Sequence, residues 1–329
     1  MKAVQYSAFG AAKDVVEVVE LAKPEPAHGE VLVRVYASGV NPSDTKKRAG
    51  AFPDLLRDGP VVPNSDGAGV IEAVGNGVSV ARIGQRVWIY QAQYERRLGT
   101  AAQYVAIDAR RTVPLPQNVT FEVGASLGIP AMTAHRCVYA DGPVGGKLLL
   151  VTGGAGRVGH YAVQWAKLGG ATVIATASSD TTRADCFAAG ADIVVNHHDA
   201  DWDQQILEWT QGRKVDRVID TEFGANLSKV LEVIRIGGAI ATYSSMVVPE
   251  PTLPFKRMMF MDLTLRMVIV YAMPEAAKAE AIEALDRALA RGDLIHRITA
   301  RFPLEKLAEA SDLVDAGGIC GSVILEVTH

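Results

Sequence analysis

The first third of the chain alternates apolar and polar residues over short runs that glycine and proline separate. The clearest run, Glu30–Ala37, places Val31, Val33 and Val35 on one face of a predicted strand. Two further predicted strands follow it: Gly67–Gly75 and Gln85–Tyr90. This part of the chain therefore predicts a β-rich, partly open barrel.

From about residue 122 onwards, apolar runs alternate with segments of helical period. The predicted strands are Lys147–Thr152, Thr172–Thr176, Ile193–Val195, Arg217–Asp220, Ala239–Tyr243 and Leu265–Val270. The predicted helices between them are Val158–Leu168, Asp180–Ala189, Asp203–Thr210 and Leu227–Ile234. Buried strands that alternate with helices indicate βαβ units, so the fold class is α/β with a doubly wound parallel sheet.

The end of the chain returns to the β-rich pattern. A long predicted helix, Glu275–Arg291, ends at Gly292, and a second one covers Pro303–Ala316. The final predicted strand is Ser322–Val327.

Composition narrows the functional class. A chain of 329 residues is long enough for two domains. Its net charge of -4 gives no electrostatic reason to bind nucleic acid. The longest apolar stretches, such as Met267–Met273, are far shorter than the ~18 residues of a membrane span. The N-terminus lacks the layout of a signal peptide, and the three widely separated cysteines indicate no disulfide framework. We therefore expect a soluble, cytoplasmic protein.

A glycine-rich segment connects the first strand of the predicted sheet to its first helix. Gly154, Gly156 and Gly159 form a G-x-G-x-x-G pattern directly after an apolar strand, the context in which it indicates a dinucleotide site. Gly154 permits a tight turn, Gly156 lets the backbone approach a pyrophosphate, and Gly159 lets the helix pack on the strand. The helix N-terminus offers N–H groups to the anion. The predicted contact segment is Gly153, Gly154, Ala155, Gly156, Arg157 and Val158.

The end of the second strand predicts which dinucleotide binds. NAD-binding units usually place Asp or Glu about 20 residues past the glycines to accept the ribose hydroxyls. Here the strand ends in Ser178 and Ser179. Asp180 follows at a predicted helix N-cap, and Arg183 lies within one helical turn. Small hydroxyls and a cation suit a 2′-phosphate, which favours NADPH. The alternatives are a solvated Arg183 and an Asp180 that accepts the ribose hydroxyls of NADH.

Several motifs spread over the chain resemble the medium-chain dehydrogenase/reductase superfamily, and within it the zinc-independent, zeta-crystallin-like quinone oxidoreductases. These motifs are Met1–Val4, Ala37–Asp44, Pro63–Gly69, Gly153–Gly159 and Gly237–Ile240. The resemblance implies a GroES-like catalytic domain built from residues 1–122 and 274–329. It also implies that a Rossmann cofactor domain, residues 123–273, is inserted between these two parts.

The resemblance also bears on metal binding. Zinc-dependent alcohol dehydrogenases of the superfamily have Cys at the position of Asn41, Gly-His-Glu at Asn64–Asp66, and four Cys within the region of 91–100. None of those Cys, His and Glu residues is present here. The adjacent His197 and His198 have no other candidate ligands nearby, and zinc sites need a closed group of donors. We therefore expect no metal.

Hydride transfer from a nicotinamide depends mainly on orientation and the exclusion of water. By resemblance, Asn41 lies over the nicotinamide and hydrogen-bonds the substrate carbonyl, the alternative being a turn residue before Pro42. Phe52 lies in a stretch where the family often has tyrosines, so it can stack on a substrate but cannot donate a proton. Thr133 resembles a family threonine at the cofactor, with a plain helical residue as the alternative.

Three more candidate cofactor residues follow predicted strands. Tyr243 and Ser244 come after the fifth strand, and His197 comes after the third. Ligands bind at the carboxyl ends of the strands in such sheets. A surface loop is the alternative role for His197.

The resemblance thus implies an NADPH-dependent, zinc-free quinone oxidoreductase that yields a hydroquinone or, by single electrons, a semiquinone. An alkenal or enone reductase on the same fold is the nearest alternative. A non-catalytic NADPH-binding protein, structural or RNA-interacting, is a second, although the acidic charge argues against RNA. The apolar segment Leu263–Tyr271 predicts an open edge strand that pairs with its copy in a homodimer.

Overall fold

A computed structural model describes all 329 residues of the chain. Fifteen strands, numbered in chain order, are β1 (Lys2–Tyr6), β2 (Val16–Glu20), β3 (Glu30–Val40), β4 (Asp66–Val74), β5 (Arg86–Ile89), β6 (Tyr104–Asp108), β7 (Thr112–Pro114), β8 (Leu148–Val151), β9 (Thr172–Ala177), β10 (Ile193–Asn196), β11 (Val215–Asp220), β12 (Ile234–Thr242), β13 (Thr264–Met267), β14 (Ile298–Pro303) and β15 (Ser322–Glu326).

Eleven α-helices lie between these strands. They are α1 (Ala12–Val15), α2 (Pro42–Arg48), α3 (Phe121–Gly124), α4 (Gly128–Tyr139), α5 (Arg157–Leu168), α6 (Asp180–Ala188), α7 (Trp202–Trp209), α8 (Phe223–Val233), α9 (Phe255–Phe260), α10 (Glu275–Arg291) and α11 (Leu307–Ala316). Short 3₁₀ turns occur at Pro53–Leu56, Val80–Arg82, Ala109–Arg111, Val270–Ala272 and Leu304–Lys306. None of the helices has the length and the run of apolar residues that crossing a membrane requires.

The chain divides into two compact units. The first contains Met1–Ile129 and Arg287–His329, and the second contains Pro130–Asp286. The first unit therefore ends at residue 129 and resumes at residue 287, whereas the resemblance implies domain boundaries at 122 and 273. Assignment of catalysis to one unit and of the cofactor to the other stays a prediction.

The first unit is built around a seven-stranded sheet. Its strand order is β14-β15-β3-β4-β5-β7, and β6 also pairs with β3, while β1 and β2 form a separate antiparallel pair. The long strand β3 pairs with β4, β6 and β15, all antiparallel. Val31, Val33 and Val35 are fully buried in the core on one face of β3, which confirms the alternation in the sequence.

The second unit contains a six-stranded parallel sheet with the order β10-β9-β8-β11-β12-β13. The chain runs from β8 through β9 to β10 in one direction along the sheet, and from β11 to β13 in the other. This is the doubly wound α/β fold that the sequence predicts. The strand order reverses between β8 and β11, and ligands of such sheets bind beyond the carboxyl ends of strands at this point.

Some predicted elements differ from those observed. Pro303 does not begin a helix: it ends β14, where it pairs with Glu326, and a 3₁₀ turn precedes α11. The last strand of the parallel sheet ends at Met267 rather than at Val270, which begins a 3₁₀ turn. The sequence pattern did not predict α2, and α2 positions part of the candidate site.

Candidate functional site

The glycine turn lies between β8 and α5, at the carboxyl edge of the parallel sheet. The N–H groups of Gly153 and Gly154 donate to Thr176 on β9, to its side-chain oxygen at 2.9 Å and its carbonyl oxygen at 2.9 Å. The N–H of Gly156 donates to the carbonyl of Gly153, which closes the turn before α5 begins at Arg157. The backbone of the turn is therefore fixed by the neighbouring strand and by itself.

Three positions in and just after this turn require glycine. Gly153 has a φ of +60°, in the left-handed region, and Gly154 does not, so the tight turn is at Gly153 and the predicted role of Gly154 was wrong. Gly154 instead packs where a Cβ would lie 2.8 Å from the Cβ of Ala175. A Cβ on Gly159 would lie 2.1 Å from the carbonyl oxygen of Gly153, so this glycine permits the close approach of α5 to the turn.

A buried carboxylate supports the turn from β11. Asp220 is fully buried at the end of this strand, and its Oδ1 accepts the hydroxyl proton of Thr152 at 2.6 Å. The same oxygen accepts hydrogen bonds from the backbone N–H of Glu222 and the side-chain amide of Asn226. Burial raises the pKa of Asp220, while these donors oppose the rise. Sequence reasoning missed this residue, although an acidic residue at the end of an apolar strand is a usable signal.

The end of β9 carries the candidates for cofactor choice. Ser179, not Asp180, is the N-cap of α6, because its Oγ accepts the N–H of Thr182 at 3.3 Å. The hydroxyl of Thr182 in turn accepts the N–H groups of Ser178 and Ser179, at 3.1 and 2.9 Å. Asp180 is therefore the first residue of α6, and the prediction that it caps the helix was wrong. The side chains of Ser178 and Asp180 remain exposed to solvent.

A small cavity of about 70 Å³ lies at the carboxyl ends of β9 and β10. Its lining consists of Ala177, Ser179, Asp180, Arg183, Val194, Val195 and Asn196. Arg183 is exposed, and its guanidinium lies over the ring of Phe187, 5.6 Å from the centroid. Asp180 and Arg183, the two charged candidates for distinguishing NADH from NADPH, therefore line the same cavity.

The remaining cofactor candidates lie on neighbouring strand ends. His197 follows β10, its N–H donates to the carbonyl of Ala177, and burial together with the charge of His198 lowers its pKa. Tyr243 follows β12, and burial raises the pKa of its hydroxyl. The Ser244 carbonyl accepts the N–H of Phe223 at the start of α8.

The loop after Ser244 is held by a residue that sequence reasoning missed. The carboxylate of Glu222 accepts the backbone N–H groups of Met246 and Val247, at 2.8 and 2.9 Å. The loop therefore has a fixed anchor at the start of α8. Thr133, the last predicted cofactor residue, is buried within α4, and its role stays a prediction.

The two candidates for substrate contact lie in the first unit. Asn41 precedes α2, and its backbone N–H donates to the carboxylate of Asp44 at 2.9 Å, so the turn role that sequence allows is present. Its side-chain amide donates to Oδ2 of Asp66, also at 2.9 Å. Phe52 is 43% exposed, immediately before a 3₁₀ turn. Substrate contact by either residue stays a prediction.

Other residues stand at the positions where zinc-dependent alcohol dehydrogenases of the superfamily have zinc ligands. Asn41, Ser65 and Asp66 supply an amide, a hydroxyl and a carboxyl group, whereas protein zinc sites combine thiolates, imidazoles and carboxylates. No group of three or more His, Cys, Asp or Glu side chains in the structure is arranged to hold a metal ion. The rings of His197 and His198 lie 4.4 Å apart, with no third donor to complete a site.

Two family models match the chain. A model of the alcohol dehydrogenase GroES-like domain matches residues 27–117, which lie in the first unit. A model of the zinc-binding dehydrogenases matches residues 158–287, almost all of which lie in the second unit.

Similar proteins align with the chain over nearly its whole length. A quinone oxidoreductase of Rattus norvegicus is 30% identical over 334 residues, which cover 99% of this chain and 97% of the relative. The structure of a mycobacterial protein complexed with NADPH superposes with a TM-score of 0.88 at 28% identity, covering 99% and 100% of the two chains. An NAD-dependent alcohol dehydrogenase superposes with a TM-score of 0.88 at 30% identity, covering 100% of both.

Proposed function

The chain belongs to the quinone oxidoreductase branch of the medium-chain dehydrogenase/reductase superfamily, and on that premise we propose that it is an NADPH-dependent quinone oxidoreductase that works without a metal. One equivalent each of NADPH, proton and quinone gives NADP⁺ and a hydroquinone. The observation that carries the proposal is the glycine turn before α5, together with Gly159 in the first turn of that helix, which leaves no room for a Cβ. It lies where a doubly wound sheet binds a dinucleotide.

The second unit supplies the residues that hold the cofactor. The segment 153–158 and the N-terminus of α5 receive the pyrophosphate, because backbone N–H groups and the helix dipole stabilise an anion there. Ser178, Ser179 and Arg183 receive the 2′-phosphate, and the loop at Tyr243 and Ser244 contacts the rest of the dinucleotide. When bound, NADPH supplies the hydride. The mycobacterial relative that was solved with NADPH supports this choice.

The first unit supplies the substrate contact. Asn41 donates an amide hydrogen to the carbonyl oxygen of the acceptor. This hydrogen bond stabilises the negative charge that develops on that oxygen during hydride transfer. Phe52 offers an exposed ring to a planar substrate. Replacement Asn41→Ala removes one neutral hydrogen bond, worth about 0.5–1.5 kcal/mol, so kcat/KM for the acceptor should fall several-fold. The dissociation constant of NADPH should not change.

The decisive assay measures NADPH oxidation against quinones and enones in parallel, with the metal content of the same sample determined. We expect quinones to be the preferred acceptors, and activity to persist with a chelator because the donor set at residues 41 and 64–66 does not suit zinc. Preference for enones would favour an alkenal or enone reductase. NADPH binding without turnover of any acceptor would favour a non-catalytic role. One zinc per chain, with activity lost on its removal, would refute the metal-free proposal.

We also propose that the protein is a homodimer joined along β13. This edge strand, the residues just after it and α9 expose apolar side chains, each more than half accessible: Phe255, Met259, Phe260, Met267 and Ile269. The guanidinium of Arg266, the only cation of β13, pairs with Asp141. A paired edge would bury this surface and satisfy the open strand.

Light scattering at micromolar concentration should give the mass of a dimer. Met267→Lys should shift the protein to monomer, because the substitution places a charge on the paired edge. Val80→Lys, at an exposed apolar position in the first unit, is the matched control and should stay dimeric. A monomeric wild-type protein would contradict the proposal.

A further inference from the structure

A cluster of buried polar side chains surrounds Asn41 in the first unit. It consists of Asn41, Asp44, Lys47, Ser65 and Asp66, of which none is more than 4% exposed. The Lys47 ammonium donates to the carbonyl of Gln93 at 2.6 Å and lies 3.4 Å from the Ser65 hydroxyl. That hydroxyl lies 3.4 Å from Oδ1 of Asp44. Polar groups buried this deeply cost stability unless they are paired, so the cluster needs an explanation.

One oxygen of Asp66 fixes the orientation of the Asn41 amide. Oδ2 of Asp66 accepts the Nδ2–H of Asn41 at 2.9 Å and the backbone N–H of Ile129 at 2.8 Å. A backbone N–H only donates, so Oδ2 must act as an acceptor. In this arrangement Asn41 turns its nitrogen, and not its oxygen, towards Asp66. An amide that is free to flip would present either atom.

The Asp66 carboxyl is itself held in place. A Cβ on Gly128 would lie 2.1 Å from Oδ1 of Asp66, so the carboxyl packs directly against the backbone of α4. Oδ1 has no hydrogen-bond partner in the structure. Burial, with a contribution from the charge of Asp44, raises the pKa of Asp66 to about 8, although Lys47 and the two donors oppose the rise. Oδ2, which receives both donors, is therefore the oxygen that holds the Asn41 amide.

We propose that Asp66 is a positioning residue, which binds one Nδ2–H of Asn41 and thereby directs the second Nδ2–H to the carbonyl oxygen of the substrate. The inference rests on the proposed contact between Asn41 and the acceptor. Because Asp66 is fully buried, it acts through Asn41 and does not touch the substrate. Asp66 fixes the orientation of the Asn41 side-chain amide and does not affect the binding of NADPH.

Four variants test this role: Asn41→Ala, Asp66→Ala, Asp66→Asn and the double alanine variant. If Asp66 acts through Asn41, each single alanine variant lowers kcat/KM for the quinone several-fold, and the double variant is no worse than Asn41→Ala. Asp66→Asn keeps an acceptor oxygen for both N–H groups, so it should retain activity within about twofold. The dissociation constant of NADPH, measured by fluorescence, should be the same throughout.

A readout that is independent of turnover is the side-chain amide signal of Asn41 in protein labelled with ¹⁵N-asparagine. The signal is assigned by its loss in Asn41→Ala. One of its two protons should be shifted downfield in wild type and in Asp66→Asn, and this shift should be lost in Asp66→Ala. Far-ultraviolet circular dichroism checks that each variant is folded, and Asp66→Asn keeps the test valid if Asp66→Ala is not.

The outcomes separate this inference from the proposed function. If Asn41→Ala lowers kcat/KM but Asp66→Ala does not, or if the two losses multiply in the double variant, the positioning role is refuted and the Asn41 contact survives. If Asn41→Ala leaves kcat/KM unchanged for every acceptor, both ideas fail. If no acceptor is reduced, an amide signal that does not respond to Asp66→Ala still refutes the positioning role.

Discussion

The proposed preference for NADPH over NADH rests on one exposed cation, Arg183. We predict that Arg183→Ala weakens NADPH binding and leaves NADH binding unchanged. Arg183 lines the cavity at the end of β9, next to the N-cap residue Ser179. A charge-assisted hydrogen bond contributes about 1.5–3 kcal/mol. Because Arg183 is exposed and solvent screens its charge, we take the lower end of this range. That corresponds to roughly tenfold in the dissociation constant.

Asp180 provides an internal counter-test, since it lines the same cavity with the opposite charge. If Arg183 reads a 2′-phosphate, Asp180→Ala should tighten NADPH binding or leave it unchanged. If Asp180 reads the ribose hydroxyls, the same variant should weaken NADH binding. The assay is titration calorimetry of each variant with both cofactors. The preference for NADPH should also narrow at high salt, because the contact is screened.

The matched control is Arg213→Ala. Arg213 is an exposed cation of the same unit that precedes β11, at the opposite end of the sheet from the cavity. The control removes the same charge without touching the site, so the ratio of the two dissociation constants should stay at the wild-type value. An unchanged ratio in Arg183→Ala, or wild-type protein that binds NADH as tightly as NADPH, would refute the reasoning.

Two further predictions concern stability. Gly159→Ala places a Cβ 2.1 Å from the Gly153 carbonyl oxygen. Overpacking of this kind costs about 1–3 kcal/mol of stability. The midpoint of thermal unfolding should therefore fall, and NADPH should bind more weakly. Gly145→Ala, where the nearest atom is at 3.4 Å, should change neither, and equal effects of both variants would contradict the packing argument. The raised pKa of Asp66, about 8 against 3.8 for the free group, means that the folded state binds an extra proton between these values. The free energy of unfolding, measured in urea, should therefore decrease as pH rises from about 4 to about 8. The decrease should be steeper in wild type than in Asp66→Asn. If the two curves are parallel, the pKa of Asp66 is not raised.

The sequence predicts the fold of the second unit well because its signals are local. Apolar runs such as Leu148–Val151 are buried on both faces of a parallel sheet. The glycine pattern that follows this strand is typical of a dinucleotide-binding turn. Finer details were not predictable from local pattern. Several adjacent glycines can each take the left-handed position, and adjacent Ser179 and Asp180 are both good N-caps. The position of the end of β9 decides which residue caps α6.

Contacts between distant segments were less predictable. Asp66 meets Ile129 across 63 residues, and Asp220 meets Thr152 across 68. The composition of a segment does not indicate which distant segment it contacts. The hydrogen bonds of Asp66 to Asn41 and Ile129 can therefore be recognised only in the folded chain. The same is true of Glu222, whose carboxylate anchors a loop that lies more than twenty residues away.

The pairing of β15 with β3 has a consequence for synthesis of the protein on the ribosome. Val40 pairs with Val323, and Ala37 with Glu326, so the end of β3 finds its partner only in the last few residues of the chain. About 280 residues must be translated between them, which takes roughly 15–60 s at ~5–20 residues per second. During this interval the nascent first unit has an unpaired strand edge, which chaperones would have to protect from pairing with other chains. A chain that stops before residue 322 would still contain the whole sequence of the second unit, yet it would lack the strand that completes the first.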